Sequence, residues 1–203
     1  VDNPAGSYCA GSTPVAVTFK NYGVNTLTSL TINWKLNGVT QTAYNWTGFL
    51  SSGSSQQVTI ATYNFTGGTY SIKSWSTSPN GGADGNPYND TTILNNIQSG
   101  MSGTYQIGGW PQSYASIGAA ISDLNLRGLC GPVTFNLVDS TYSESIALLS
   151  ITGASATNTV TFKSLSGDSS KVIINASTGI DLNSSRFIRV QNMTFNNSTY
   201  FVY

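Results

Sequence analysis

Two hydrophobic rhythms divide the chain. From Pro14 to about Ile97 apolar and polar residues alternate: Val15, Val17 and Phe19 with Ala16, Thr18 and Lys20, then Leu30, Ile32, Trp34 and Leu36 with Thr31, Asn33 and Lys35. A period of two sends alternate side chains to opposite faces of a strand. Turn signals interrupt these runs about every 8 to 12 residues, the spacing of an all-β sandwich. Asn37-Gly38 predicts a tight hairpin, because both positions tolerate positive φ, with Val39 to Trp46 as the returning strand. Gly67-Gly68 predicts a second hairpin, joining Gln56–Tyr63 to Thr69–Trp75, and Asn89 to Ile97 supplies the last strand.

The rhythm changes to three and four once, at Tyr114, Ile117, Ile121 and Leu124. That spacing predicts an amphipathic helix over Tyr114 to Leu126, with Ser113 as N-cap and Gly128 as its stop. Gly131-Pro132 then breaks the backbone, and Val133 to Val138 reads as a strand. Strand-like segments recur from there: Val133–Leu137, Thr159–Lys163 and Phe187–Val190 begin about 26 to 28 residues apart. A second series sets Ser145–Leu149 against Val172–Ala176. Stacked coils have open ends, and the lone helix is expected to cover the first of them. The expected organisation is all-β: an immunoglobulin-like sandwich over residues 1–102, then a helix-capped right-handed parallel β-helix over 103–203, of which only the first coils are present. Tyr200 to Tyr203 reads as the opening of another strand, so the chain is expected to continue or to meet another copy there.

Composition narrows the chemistry. Among 203 residues, eight Lys/Arg balance eight Asp/Glu and charged residues make up only 8%, which leaves no basic stripe for nucleic acid. No apolar run approaches the roughly 20 residues of a membrane span. The chain contains no His, so Ser-His, Cys-His and His-zinc constellations are excluded within it. Low charge with abundant Ser, Thr, Asn, Gly and Tyr points to a secreted or outer-surface location. Cys9 and Cys130 permit one disulfide if their Cα atoms come within about 7 Å; otherwise Cys130 is a small buried hydrophobe and Cys9 bonds elsewhere.

Several stretches carry a family likeness. Lys20-Asn21-Tyr22-Gly23, Asn45-Trp46-Thr47-Gly48, Ser51 to Ser54, and Pro79-Asn80-Gly81-Gly82-Ala83-Asp84-Gly85-Asn86 followed by Asn89-Asp90 resemble, in that order, the cell-adhesion-related bacterial domain. Such modules recur in large secreted proteins of the Bacteroidota. The resemblance spans roughly residues 9 to 100, implies an immunoglobulin-like module in a surface protein, and brings no catalytic residue. Phe187-Ile-Arg-Val-Gln-Asn-Met-Thr-Phe195, after the helix, resembles the strand-turn-strand of pectate-lyase-like β-helix proteins.

Three groups of side chains are candidates for chemistry. Asp84, Asn86, Asn89 and Asp90, with Asn80 nearby, place hard oxygen ligands on a Gly-rich loop, as a structural Ca²⁺ requires. The same residues make Asx turns, and the need for six or more ligands favours that alternative. Trp46 and Trp110, beside Gly or Pro, are candidates for stacking on glycans, whereas Trp34 and Trp75 read as core. Beyond the helix the carboxylates are Asp139, Glu144, Asp168 and Asp181. Asp181 with Arg186 or Arg189 could stand in for a lyase pair, but isolated solvated charges on coil corners are the stronger reading. The functional expectation is a non-catalytic adhesin or filament-like component with no resident cofactor. Its partners would be an extracellular glycan, a surface protein or copies of itself. The rivals are the N-terminal part of a polysaccharide lyase or glycoside hydrolase, and a carbohydrate-binding module.

Overall fold

The computed structural model describes residues 1–196. It falls into two compact units, Val1–Ser99 and Gly100–Tyr203. The division comes slightly before the expected one because Met101 already belongs to a strand of the second unit.

Unit 1 is a β-sandwich. One sheet runs in the order β1 (Ser7–Tyr8), β8 (Thr91–Ser99), β7 (Thr69–Thr77), β3 (Leu27–Leu36) and β4 (Val39–Thr40), with β5 (Tyr44–Leu50) also paired to β3. The facing sheet pairs β2 (Gly11–Lys20) with β6 (Ser55–Phe65). The alternation seen in the sequence decides what is inside: Val15 and Val17, Ile32, Trp34 and Leu36, with Phe65, Ile72 and Ile97, form the buried layer. Burying each such side chain contributes roughly 1.5–3 kcal/mol relative to leaving it in water. Asn37 and Gly38 have φ of 47° and 80° and close the β3–β4 hairpin, with Leu36 opposite Val39.

The second hairpin does not form. β6 pairs with β2, whereas β7 pairs with β3 and β8, so Gly67-Gly68 carries the chain from one sheet to the other. Local turn chemistry yielded here to longer-range pairings that bury both strands' apolar faces. Two tryptophan assignments change as well. Trp46 is buried, at 4% exposure, with its ring edge-on to Phe19 at 5.1 Å between centroids. Gly48 explains this: a Cβ there would overlap the Trp46 ring, so the glycine makes room for the indole. Trp75 lies on the outer face, with the ammonium groups of Lys35 and Lys73 at 6.0 and 5.7 Å from its ring centroid.

Unit 2 is built on parallel pairing. The longest sheet orders β9 (Met101–Ile107), β10 (Leu129–Leu137), β13 (Val160–Ser164) and β16 (Ile188–Gln191), each parallel to the next. Val133, Val160 and Ile188 are in register, in agreement with the recurrence in the sequence. Phe135 and Phe162 consequently stack at 4.9 Å in the interior. A second ladder joins β11 (Ser140–Tyr142), β14 (Val172–Asn175) and β17 (Thr194–Asn196), and a third joins β12 (Ile146–Ala147) to β15 (Ile180–Asp181). The second series in the sequence is therefore re-paired: Val172–Asn175 lies beside Ser140–Tyr142, while Ile146 lies beside Ile180. The stack also begins earlier than Val133, because β9 precedes the helix and already pairs with β10.

The helix, α1 (Ile117–Arg127), is shorter than expected at its start. Ser116 is the N-cap, its hydroxyl accepting the Ala119 amide at 3.1 Å, and Tyr114 instead forms a bridge to Ile107. Ile117, Ala120, Ile121 and Leu124 are its buried stripe and join the core formed by Val133, Phe135 and Leu137. Gly128, at φ 63°, ends it as expected. Asn197 to Tyr203, including the segment expected to open another strand, lie outside the described residues.

Candidate binding loops and the placement of the sequence-predicted side chains

Three loops leave the same end of unit 1. Lys20 is opposite Ser55, Leu27 opposite Leu50, and Trp75 opposite Thr91, so the β2–β3, β5–β6 and β7–β8 connections cluster there. Two asparagines fix them. Asn21, 6% exposed, donates its side-chain amide to Asn25 O at 2.8 Å and Leu50 O at 3.0 Å, and accepts the Gly23 amide at 3.0 Å. Its backbone exchanges bonds with Gly53 and Ser54, at 2.8 and 2.9 Å. Asn80 ties the third loop to the start of β3: its oxygen accepts the Thr28 amide at 2.7 Å and the Ser29 amide at 3.3 Å, and its Nδ2 donates to Thr26 O at 2.9 Å. A side-chain amide satisfied on both ends, buried at Asn21 and exposed at Asn80, holds loop backbones that make no ladder of their own.

Between the first and third loops lies a groove of about 880 Å³. Leu30 and Ile32 contribute to its apolar wall, Tyr22 and Val24 to its rim, and Asp84 and Asp90 to its acidic side. Asp90 has its pKa raised, first by burial and then by the neighbouring charge of Asp84, so the two carboxylates do meet. Three members of the candidate Ca²⁺ set, these two included, are turned to local bonds. Asp84 accepts the Asn86 amide at 2.8 Å, Asn86 accepts the Tyr88 amide at 3.3 Å, and Asp90 accepts the Ser76 hydroxyl at 3.2 Å. Asn89 lines the groove without joining them. Among the described residues no group of three or more acidic, Cys or His side chains is arranged to hold a metal.

Of the two tryptophans singled out for stacking, Trp46 is in the core and is withdrawn as a surface platform. Trp110 is 89% exposed. It stands on a loop closed at its base by Gly108 N to Tyr114 O at 2.9 Å and by Ser113 N and Tyr114 N to Gln106 O, both at 3.0 Å. The Gln106 side chain adds a bond to Gly108 O at 3.0 Å.

Every carboxylate beyond α1 is engaged by its own chain. Glu144 accepts the Gly118 amide at 2.7 Å at the start of α1. Asp139 accepts the Ser166 hydroxyl at 2.6 Å, and Asp168 accepts the Ser170 amide and hydroxyl at 3.0 and 2.7 Å. Lys171 sits between these two, 4.0 Å from Asp139 and 3.7 Å from Asp168. Asp181 accepts the Asn183 amide at 3.1 Å, and it forms no ion pair with Arg186 or Arg189 among the described residues. On α1, Asp123 receives Arg127 at 3.0 Å and the Tyr114 hydroxyl, which burial and that carboxylate hold in its protonated form. Neither Cys9 nor Cys130 is a free thiol.

The loop face was not legible as a site in the sequence. Its only signals were Asn21 two residues before a glycine and Asn80 before a glycine pair, both of which also mark ordinary turns.

No protein-family model and no curated protein matches the chain. Among solved structures it is similar to the CARDB domain of the PF1109 protein from Pyrococcus furiosus, which was crystallised in complex with di-metal ions. The identity is 20% and the TM-score 0.36, over 47% of this chain and 84% of that one.

Proposed function

We propose that the chain is a non-catalytic, modular extracellular or cell-surface protein, an adhesin or filament-like structural component. In this reading unit 1 is an immunoglobulin-like, cell-adhesion-related module and unit 2 is the helix-capped opening of a right-handed parallel β-helix. The observation that carries it is the engagement of Asp139, Glu144, Asp168 and Asp181 by turn amides, hydroxyls, a lysine and a helix end. Glycosidic cleavage uses a pair of carboxyl groups facing a common gap about 5 to 9 Å wide; of these four, Glu144, Asp168 and Asp181 accept backbone amides and Asp139 is bonded to the Ser166 hydroxyl. The three parallel ladders of unit 2 support the extended, repetitive architecture, as does the low charge of the chain. The test is incubation of residues 1–203 with polygalacturonate and with neutral glycans. No new reducing ends or unsaturated products are expected, and turnover by this chain would overturn the reading.

A second reading, a carbohydrate-binding module, draws on Trp110. A fully exposed indole on a hydrogen-bonded loop is the geometry a sugar ring can stack upon. Retention on insoluble polysaccharide that disappears in Trp110→Ala and persists in Trp110→Phe would favour it.

A further inference from the structure

The loop end of unit 1 carries large apolar side chains that its own core does not use. Tyr22, Val24, Phe49 and Tyr88 are all exposed, Val24 at 90% and Tyr88 at 96%. Single exposed apolar residues are ordinary, but Tyr22 and Val24 line the groove itself, and Tyr88 lies on the third loop between Asn86 and Asn89, which also line it. The loops are already held by the Asn21 and Asn80 hydrogen bonds, so a partner would not have to order them, and that entropy cost is absent from binding. The groove, at about 880 Å³, is the size of a ligand site and combines an apolar wall with a few placed polar groups.

Charge selects the occupant. Asp84 and Asp90 face the groove together, and neither makes an ion pair with Lys or Arg among the described residues. The Tyr22 ring already accepts an ammonium group, that of Lys20 at 4.8 Å from its centroid. Lys20 also lines the groove but lies over the Tyr22 ring and makes no ion pair with either carboxylate, so a neutral sugar would leave the two without an ion-pair partner, an acidic glycan would be repelled by them, and Val24 offers no ring for stacking. A polypeptide with cationic and apolar side chains in alternation meets all three features.

We propose that this loop end is a protein-binding face whose partner is an extended segment carrying lysine or arginine. The cation enters beside Asp84 and Asp90, and its apolar neighbours rest on Tyr22, Val24 and Tyr88. This deepens the adhesion-module reading of unit 1 and rests on it.

The experiment uses the whole chain and a fluorescein-labelled peptide of alternating Val and Lys, with a twin in which Gln replaces Lys. Fluorescence anisotropy should show saturable binding of the lysine peptide that weakens with salt, and none of the twin. Tyr88→Ala, and separately Asp84→Asn with Asp90→Asn, should each weaken binding about tenfold or more, as loss of an interface anchor does. Tyr88 and Asp84 are exposed and Asp90 is half-buried, and a cooperative melting transition confirms that the variants fold. Equal binding of both peptides, unaffected binding in the variants, or no binding at millimolar peptide overturns the proposal. So does calcium chloride or a chito-oligosaccharide occupying Asp84 and Tyr88, by NMR shifts, when the peptide does not. Glycan turnover would remove the reading of the previous subsection, whereas failure of the peptide alone removes only this one.

Discussion

The Glu144 carboxylate accepts the backbone amide of Gly118 at 2.7 Å, across 26 positions of sequence. It thereby satisfies one of the orphan donors at the start of α1 and places a negative charge at the positive end of the helix dipole. A Cβ on Gly118 would come within 2.9 Å of that same oxygen, so the glycine keeps the approach open. Glu144→Gln retains an acceptor and loses the charge, and should cost about 0.3–1 kcal/mol. Glu144→Ala loses both and should cost about 1–2 kcal/mol, on the scale of a lost N-cap. Urea unfolding followed by far-UV circular dichroism measures the difference. Equal stability of Glu144→Gln and the native protein would show that the charge contributes nothing, and equal stability of the two variants that the acceptor contributes nothing.

Asn21 should be among the least replaceable polar residues of unit 1. Asn21→Ala leaves Leu50 O and the Gly23 amide without their partner inside a nearly buried site, at a cost of about 1–3 kcal/mol. Asn21→Asp keeps the acceptor and loses the donor to two carbonyls. Thermal melts should rank native above both variants. Faster amide exchange should be confined to the loops at 21–26 and 51–54.

Trp46 is predicted to behave as a core residue and Trp110 as a surface one. Trp46→Ala should destabilise by about 3–5 kcal/mol, the range for large-to-small changes in a packed interior. Trp110→Ala should stay within about 0.5 kcal/mol of the native protein. Gly48→Ala, which drives a methyl group into the Trp46 ring, should also destabilise. Chemical denaturation of the three variants separates these outcomes.

Asp90 makes stability fall as pH rises. Its folded pKa lies above the ordinary carboxylate value of 3.8 because burial and then the charge of Asp84 disfavour the carboxylate. The neutral acid is therefore the form that folding favours. Its contribution is fully present below 3.8 and is lost as pH climbs through the raised folded value. Asp90→Asn removes this titration, so its stability relative to the native chain should improve across that window and stay level above it. The group faces solvent, and the whole effect should remain below about 1 kcal/mol. A flat difference across the window would contradict the assignment.

Neither cysteine is free, so unfolded protein that has not been reduced should show no thiol reactive toward a disulfide dye. After reduction both should react. A reactive thiol before reduction would contradict the assignment.

The sequence alone determined whatever depends on neighbours along the chain. Strand faces from Val15 to Leu36, the Asn37-Gly38 turn, the glycine that ends α1 and the register linking Val133, Val160 and Ile188 follow from period, φ preference and recurrence. What depends on which strand meets which was decided by the tertiary structure. Gly67-Gly68 has the chemistry of a hairpin, yet β6 and β7 sit in different sheets because each buries its apolar side against a more distant partner. Trp46 beside Gly48 reads as an exposed loop aromatic, and only packing shows that the glycine is there to admit the ring. Asn21 and Asn80 look like any turn asparagine until their acceptors, 29 and 54 residues away, come into place. Hydrogen bonds of that range have no periodic trace, because they are made between loops whose positions are set by the sheets beneath them.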